Sequence, residues 1–246
     1  MMASLLADGA ALLGCARNTT GATQLRQSIE TEVDASLPES VAQILEFPGL
    51  MKSIGAVYQG DPMFPDEPRL LDSALMSGYT GILLWLLTEN QGVCRWGVPL
   101  DKGDNPPVIV GGDLAIGVRS LEFAPSVESF VFAFGWDGIW MQSRLLIQAQ
   151  ADPLDASALA YLRAHYTEKV TTFGWPGEIN HRFENDDGVH VELWNVPGQQ
   201  CDWMISGPPS ALEAATRRLL QLSNLAVSLW SNDPAGEAIL SRARTK

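Results

Sequence analysis

The sequence predicts an α+β fold, a mainly antiparallel sheet flanked by helices, and three observations lead there. An apolar run at Thr80–Thr88 turns through Glu89-Asn90-Gln91-Gly92 and returns through a better-alternating Gln91–Val98, which makes a hairpin. Three short segments between Ile179 and Ile205, joined by tight loops, read as an antiparallel meander. Helix signals precede, separate and follow these strands, at Ser36-Leu37-Pro38-Glu39, Ser126–Phe130 and Ser210-Ala211-Leu212-Glu213. Strands and helices thus come in runs, not in a strict βαβ alternation.

The elements follow in chain order. Residues 1–21 read as a short helix, with Leu5, Leu6, Leu12 and Leu13 on or near one face, and a polar loop at Asn18-Thr19-Thr20-Gly21. Leu12-Leu13-Gly14-Cys15 is spaced like a bacterial lipobox. Met1 to Gly14 holds no Lys or Arg and carries Asp8, so the basic n-region of a secretory signal is missing and the helix is the reading kept. A second helix spans Ala22 to Val33. At Ser36-Leu37-Pro38-Glu39 the serine caps, proline enters the first turn and glutamate reaches back, with Val41, Ile44 and Leu45 following at helical spacing. Three prolines between Gly60 and Pro68 call for a surface loop. Thr80–Thr88 is apolar on both faces, as a strand covered on two sides should be.

Ser126 caps the next helix, with Glu128 at its positive end and Val127, Phe130, Val131 and Phe134 as the buried stripe; Gly135 and Gly138 are expected to kink or stop it. Asp152-Pro153 opens a helix carrying Leu159, Leu162 and Tyr166. In the meander, Ile179, His181 and Phe183 alternate with Asn180, Arg182 and Glu184. After the turn Asn185-Asp186-Asp187-Gly188, Val189, Val191 and Leu193 alternate with His190, Glu192 and Trp194, and Cys201–Ile205 is the third strand. A final long helix buries Leu212, Ala215, Leu219 and Leu222.

Composition narrows the function classes. In 246 residues, 46% are hydrophobic and 18% charged, which suits a globular chain. The formal net charge of −13 opposes phosphate backbones and anionic lipid, so neither nucleic acid nor membrane is an expected partner, whereas a cationic protein is attracted. Solubility alone also accounts for such a charge. No apolar run reaches the roughly 18 residues of a membrane span. Cys15, Cys94 and Cys201 form neither a disulfide framework nor a zinc signature, which places the chain in a reducing, cytoplasmic setting.

Motifs for catalysis are not found: no HExxH, GxSxG, GxxxxGK[ST] or GxGxxG occurs. His181 shares a face with Ile179 and Phe183 and is read as a hydrogen-bonded, half-buried residue. His190, Glu192 and Trp194 share another face, but two ligands without a third do not make a metal site. Asp186-Asp187-Gly188 is a hairpin turn without the spaced oxygens of a calcium loop, and Cys94 is a structural thiol. No catalytic residue, cofactor or metal is therefore expected. Glu89 and Asn90 can either satisfy turn amides or meet a partner. Of the eight tryptophans, Trp85 is expected in the core, and Trp96 and Trp194 are the candidates for partner contact, Trp194 because it lies in the polar phase of its strand.

The stretch Leu83–Val108, LLWLLTENQGVCRWGVPLDKGDNPPV, with its Pro106-Pro107 break, the Ser-capped segment Ser126–Phe130 and the helix opening Leu37-Pro38, resembles bacterial members of the SUKH superfamily. That group includes fungal cell-wall-synthesis regulators and many bacterial immunity proteins that neutralise polymorphic toxins. The resemblance covers roughly Leu37 to Leu222 and is most specific from Glu89 to Pro107. It implies a SUKH-like domain over residues 36–246 behind an N-terminal helical extension, 1–35. It further implies a non-enzymatic binding protein that occludes the active site of a cognate toxin, for example a basic nuclease, with Glu89, Asn90 and Trp96 as contact residues, to which strand phase adds Trp194. A regulatory or scaffold protein and a carboxylate-dependent hydrolase are the alternatives. Neither the toxin's identity nor the oligomeric state is readable from these residues.

Overall fold

A glycine pair explains how the chain begins. In the computed structural model, which describes residues 4–57, 59–71, 76, 78–112, 119–143, 145–151, 153–174, 177–222 and 225–245, helix α1 spans Leu5–Leu12. A Cβ on Gly9 would stand 2.6 Å from the Val131 carbonyl oxygen, and one on Gly135 would stand 2.5 Å from the Gly9 carbonyl oxygen. The two backbones therefore touch where neither has a side chain. Leu6, Gly9 and Ala10 form the buried stripe, while Leu5 and Leu12 face out, so the expected four-leucine face is corrected. Gly135 does not stop its helix, because it serves this crossing.

Two compact units make up the chain: Met1–Gly138 with Thr172–Gly177, and Ile139–Thr171 with Glu178–Lys246. The boundary expected at residues 35/36 falls inside the first unit, where Leu6 and Ile29 share a core with Val41, Leu84 and Phe130. The stretch 36–246 is divided between both units, and each has its own antiparallel sheet with helices, so the α+β class is as the sequence predicts but with two sheets.

In the first unit, α2 (Ala22–Val33) lies where the sequence predicts it. Helix α3 (Glu39–Ile44) starts after Pro38, with no side-chain cap. The expected Ser36–Glu39 box is not formed, because Glu39 pairs with Arg26 at 3.0 Å and the Ser40 amide donates to the Asp104 carbonyl. After α4 (Leu50–Val57) come β1 (Asp61–Pro62), β2 (Leu70–Leu71), β3 (Leu83–Thr88), β4 (Cys94–Pro99), β5 (Val108–Gly112) and β6 (Leu121–Ala124). The sheet runs β1-β3-β4-β5-β6, with β2 also pairing β3. A register shift between Trp85 and Leu87 lets Leu84, Leu86 and Leu87 all join the main core. Leu83 and Trp85 pack on the other face with Leu71, Met76 and Ile109, so β3 is covered on both sides as its sequence predicts. Helix α5 (Val127–Met141) is capped by Ser126, whose Oγ accepts the Ser129 amide. Within the proline-rich loop Phe64 is buried.

The second unit contains β7 (Leu146–Ala151), α6 (Ala156–His165), β8 (Thr167–Glu168), β10 (Glu178–Glu184), β11 (His190–Asn195) and β12 (Cys201–Ser206); the intervening β9 (Thr172–Gly174) belongs to the first unit. Strands β10, β11 and β12 form the expected meander, with β7 outside β12 and β8 outside β10. The Asn185 side chain accepts the Asp187 and Val189 amides, and Gly188 takes φ +74°, which together make the hairpin turn. Helix α6 is capped by Asp155; the Asp152 start expected for it lies outside the described residues. The expected final helix is divided into α7 (Pro209–Leu219), α8 (Leu225–Ser228) and α9 (Pro234–Arg244). Pro208, not Ser210, precedes α7, since Pro209 fits the first helical position. Glu213 is drawn instead to Arg217 and Arg242, tying α7 to α9. Among the described residues no helix is long and apolar enough to cross a membrane.

Candidate ligand groove

Strand phase decides the fate of each predicted contact residue. In the first unit, Glu89 follows the last residue of β3, and its Oε2 accepts the Gln91 amide at 2.8 Å and the Val93 amide at 3.3 Å. Of its two open roles, this is the turn-tying one. Asn90 is exposed at the tip. Trp96 is corrected: it is 8% exposed, in register with Leu87 and Val110, and lies edge-on to Phe123 and Phe134 at 5.9 and 6.1 Å. It therefore packs in the core and is removed from the contact set. Cys94 beside it is buried, and that burial, followed by Glu89, pushes its thiol up to about 12, so it is no nucleophile at neutral pH.

Trp194 belongs to the second unit. The core side of that sheet carries Ile147, Ala149, Phe183, Val191, Leu193, Cys201, Trp203 and Ile205. On the opposite face, pairing aligns Asn180, Trp194, Asp202 and Gln150 in one row across β10, β11, β12 and β7. The next row on that face is Arg182, Glu192, Met204 and Gln148. Arg182 is 0% and Glu192 1% exposed, with 3.8 Å between guanidinium and carboxylate. Arg182 Nη1 also donates to the Val170 carbonyl at 3.2 Å. Desolvating both charges is costly, and the mutual pairing offsets it.

This buried pair positions an aromatic. Trp194 donates its Nε1–H to Glu192 Oε1 at 2.6 Å, and its ring meets Trp140 edge-on at 5.6 Å. Trp230 is fixed beside the β7 edge by two backbone bonds with Gln148, each 2.9 Å, yet its side chain is 41% exposed. Trp140, Trp194, Trp230, Gln148, Gln150 and Asp202 line a groove of about 270 Å³. Asp202 makes no ion pair among the described residues. Sequence reasoning found Trp194 by its phase but missed Trp140, Trp230 and Asp202. The Trp194–Asp202 register was available from the short turn at 196–200; the other two arrive through tertiary folding.

A second concavity, of about 290 Å³, lies in the first unit among α2, α3, α4 and the 62–66 loop. Its walls are mainly core residues such as Ile44, Phe47 and Leu50, and its charged groups Lys52 and Asp66 already pair with each other at 3.1 Å. The groove at Trp194 therefore has the stronger polar directionality.

The histidines lie elsewhere on the second sheet. His181 Nδ1 is 3.1 Å from Glu168, which also pairs with Arg163 at 2.9 Å. His190 shares its strand face with Glu192 and Trp194 as expected, and its imidazole meets Glu184 at 3.4 Å, with Lys169 on the same carboxylate at 2.9 Å. Burial pushes both imidazoles below their ordinary value. Burial acts to raise both carboxyls, but Arg163 and His181 on Glu168, and Lys169 and His190 on Glu184, hold them below the usual range. Carboxyls so placed stay ionised and do not donate protons at neutral pH. Among the described residues no group of three His, Cys, Asp or Glu is arranged to hold a metal.

Comparison with protein-family models, with curated proteins and with solved structures finds no match for this chain.

Proposed function

We propose that this chain is a non-enzymatic protein-binding module of the SUKH immunity type, which neutralises a cognate basic toxin in the cytoplasm by covering its active site. The observation that carries the reading is the groove at Trp194, a pre-oriented aromatic wall beside Asp202, which makes no ion pair among the described residues, in a chain of net charge −13. Rigid aromatics supply contact area at low entropic cost, and an acidic field accelerates capture of a basic partner. The resemblance at Leu83–Val108 supports the same reading, now through the hairpin's architecture and not through Trp96 as a contact.

The test is capture with the tagged full chain from the source cells at low and high salt, followed by co-expression of the captured protein with and without the chain. A stoichiometric basic protein whose toxicity is suppressed by the chain is the expected result. A bound protein whose activity is unaffected, or no stoichiometric basic partner from cells shown to express candidate toxins, overturns the reading.

A further inference from the structure

We infer that the groove lined by Trp140, Trp194 and Trp230 receives one arginine side chain of the protein partner, with Asp202 as its counter-charge. The inference rests on the protein-binding reading for the partner, but the groove's preference for a guanidinium is testable alone.

Four observations lead to that ligand class. Indole faces attract cations, and guanidinium more readily than ammonium, because its plane stacks and its hydration is weak. Trp194 is held by its own Nε1–H bond to Glu192, and Trp140 braces it edge-on, so the wall is in place before any ligand arrives. Asp202 stands in register between Trp194 and Gln150 on the same sheet face, and a planar guanidinium can take a carboxylate with two parallel bonds. Gln148 and Gln150 add side-chain amide oxygens that accept further N–H groups. At about 270 Å³ the groove lies at the small end of ligand sites, which suits one long side chain and not a folded element.

A neutral ligand with an apolar face would use the same tryptophans but would have no need of Asp202. That difference sets the experiment. The full chain, labelled at its indole nitrogens, is titrated by NMR with N-acetyl-L-arginine amide and, separately, with N-acetyl-L-citrulline amide at equal ionic strength. Citrulline keeps the shape and loses the charge. The expected result is a saturable shift of the Trp140, Trp194 and Trp230 indole signals with arginine, and binding roughly tenfold weaker with citrulline, as a cation–π contact plus a charged hydrogen bond requires. Asp202→Asn, close to isosteric, should weaken arginine by about tenfold while leaving the spectrum otherwise folded. Trp230→Ala, at an exposed side chain, should weaken it further.

Equal binding of both probes, an unchanged arginine affinity in Asp202→Asn, or shifts confined to other tryptophans would each overturn the inference. If arginine fills the groove but no basic partner exists, the inference stands and the immunity reading falls. If a partner is found whose affinity is unmoved by Asp202→Asn and Trp230→Ala, the groove assignment falls and the partner reading stands.

Discussion

Glu89 shows how a single side chain can be both part of a family-like pattern and a purely local device. Its carboxylate gathers the Gln91 and Val93 amides over a turn in which Gly92 takes φ +71°. Glu89→Ala leaves those amides to water and should cost about 1–2 kcal/mol in urea unfolding, whereas Glu89→Gln retains an acceptor and should cost less. Partner affinity should be unchanged in Glu89→Gln; a large loss there would return the hairpin to the interface. Trp96 teaches the same lesson from the opposite direction. Its position in the most family-like stretch made it a candidate contact, yet parity with Leu87 and Val110 places it in the core. Residue type and local pattern identified the turn. They did not tell which of two alternating faces met solvent, because the neighbouring β3 buries apolar groups on both.

Elements were legible where local rules act alone. Helix α2 and the meander lie where periodicity and turn residues put them, since neither depends on a distant partner for its limits. The capping boxes at Ser36 and Ser210 were not formed because their glutamates found arginines contributed by other elements. The α1–α5 crossing was equally hidden, as it joins glycines at positions 9 and 135. Helix propensity alone predicts that alanine at Gly9 stabilises α1 by up to about 1 kcal/mol. The backbone atoms within 2.7 Å of the added methyl predict the reverse, a loss of about 1–3 kcal/mol. A Gly9→Ala variant with unchanged or raised stability would remove this crossing from the account. The second sheet is also expected to carry an acid sensitivity. Its imidazoles at His181 and His190 titrate below their ordinary value of 6.5, so the unfolded chain binds more protons there and the folded state loses stability as pH falls through that value. Below about 4.5 the lowered carboxyls of Glu168 and Glu184 add to the loss in the same direction. Urea midpoints should therefore drop between about pH 7.5 and 5.5, and that drop should shrink in a His181→Gln, His190→Gln double variant. An equal drop in the variant would assign the acid sensitivity to other groups.

For the molecule as a whole, the proposed binding reading assigns separate tasks to the charge of −13 and to the groove. The two act on different steps of binding. On the proposed reading, the net field reaches beyond contact distance and would govern encounter, while Trp194, Trp230 and Asp202 would act only once the partner has docked and would govern release. Salt separates them. The screening length falls from about 10 Å at 0.1 M to about 3 Å at 1 M, so raising ionic strength should cut the association rate by about tenfold or more and change dissociation much less. Asp202→Asn alters one charge in thirteen, so it should leave the salt slope of association nearly intact while speeding dissociation. Surface-based kinetics of wild type and Asp202→Asn against the captured basic partner, over a salt series, would measure both rates. A salt-independent association rate would mean that the acidic surface serves solubility alone. A slope that collapses in the variant would mean that Asp202 itself steers encounter, and that the groove is the first point of contact.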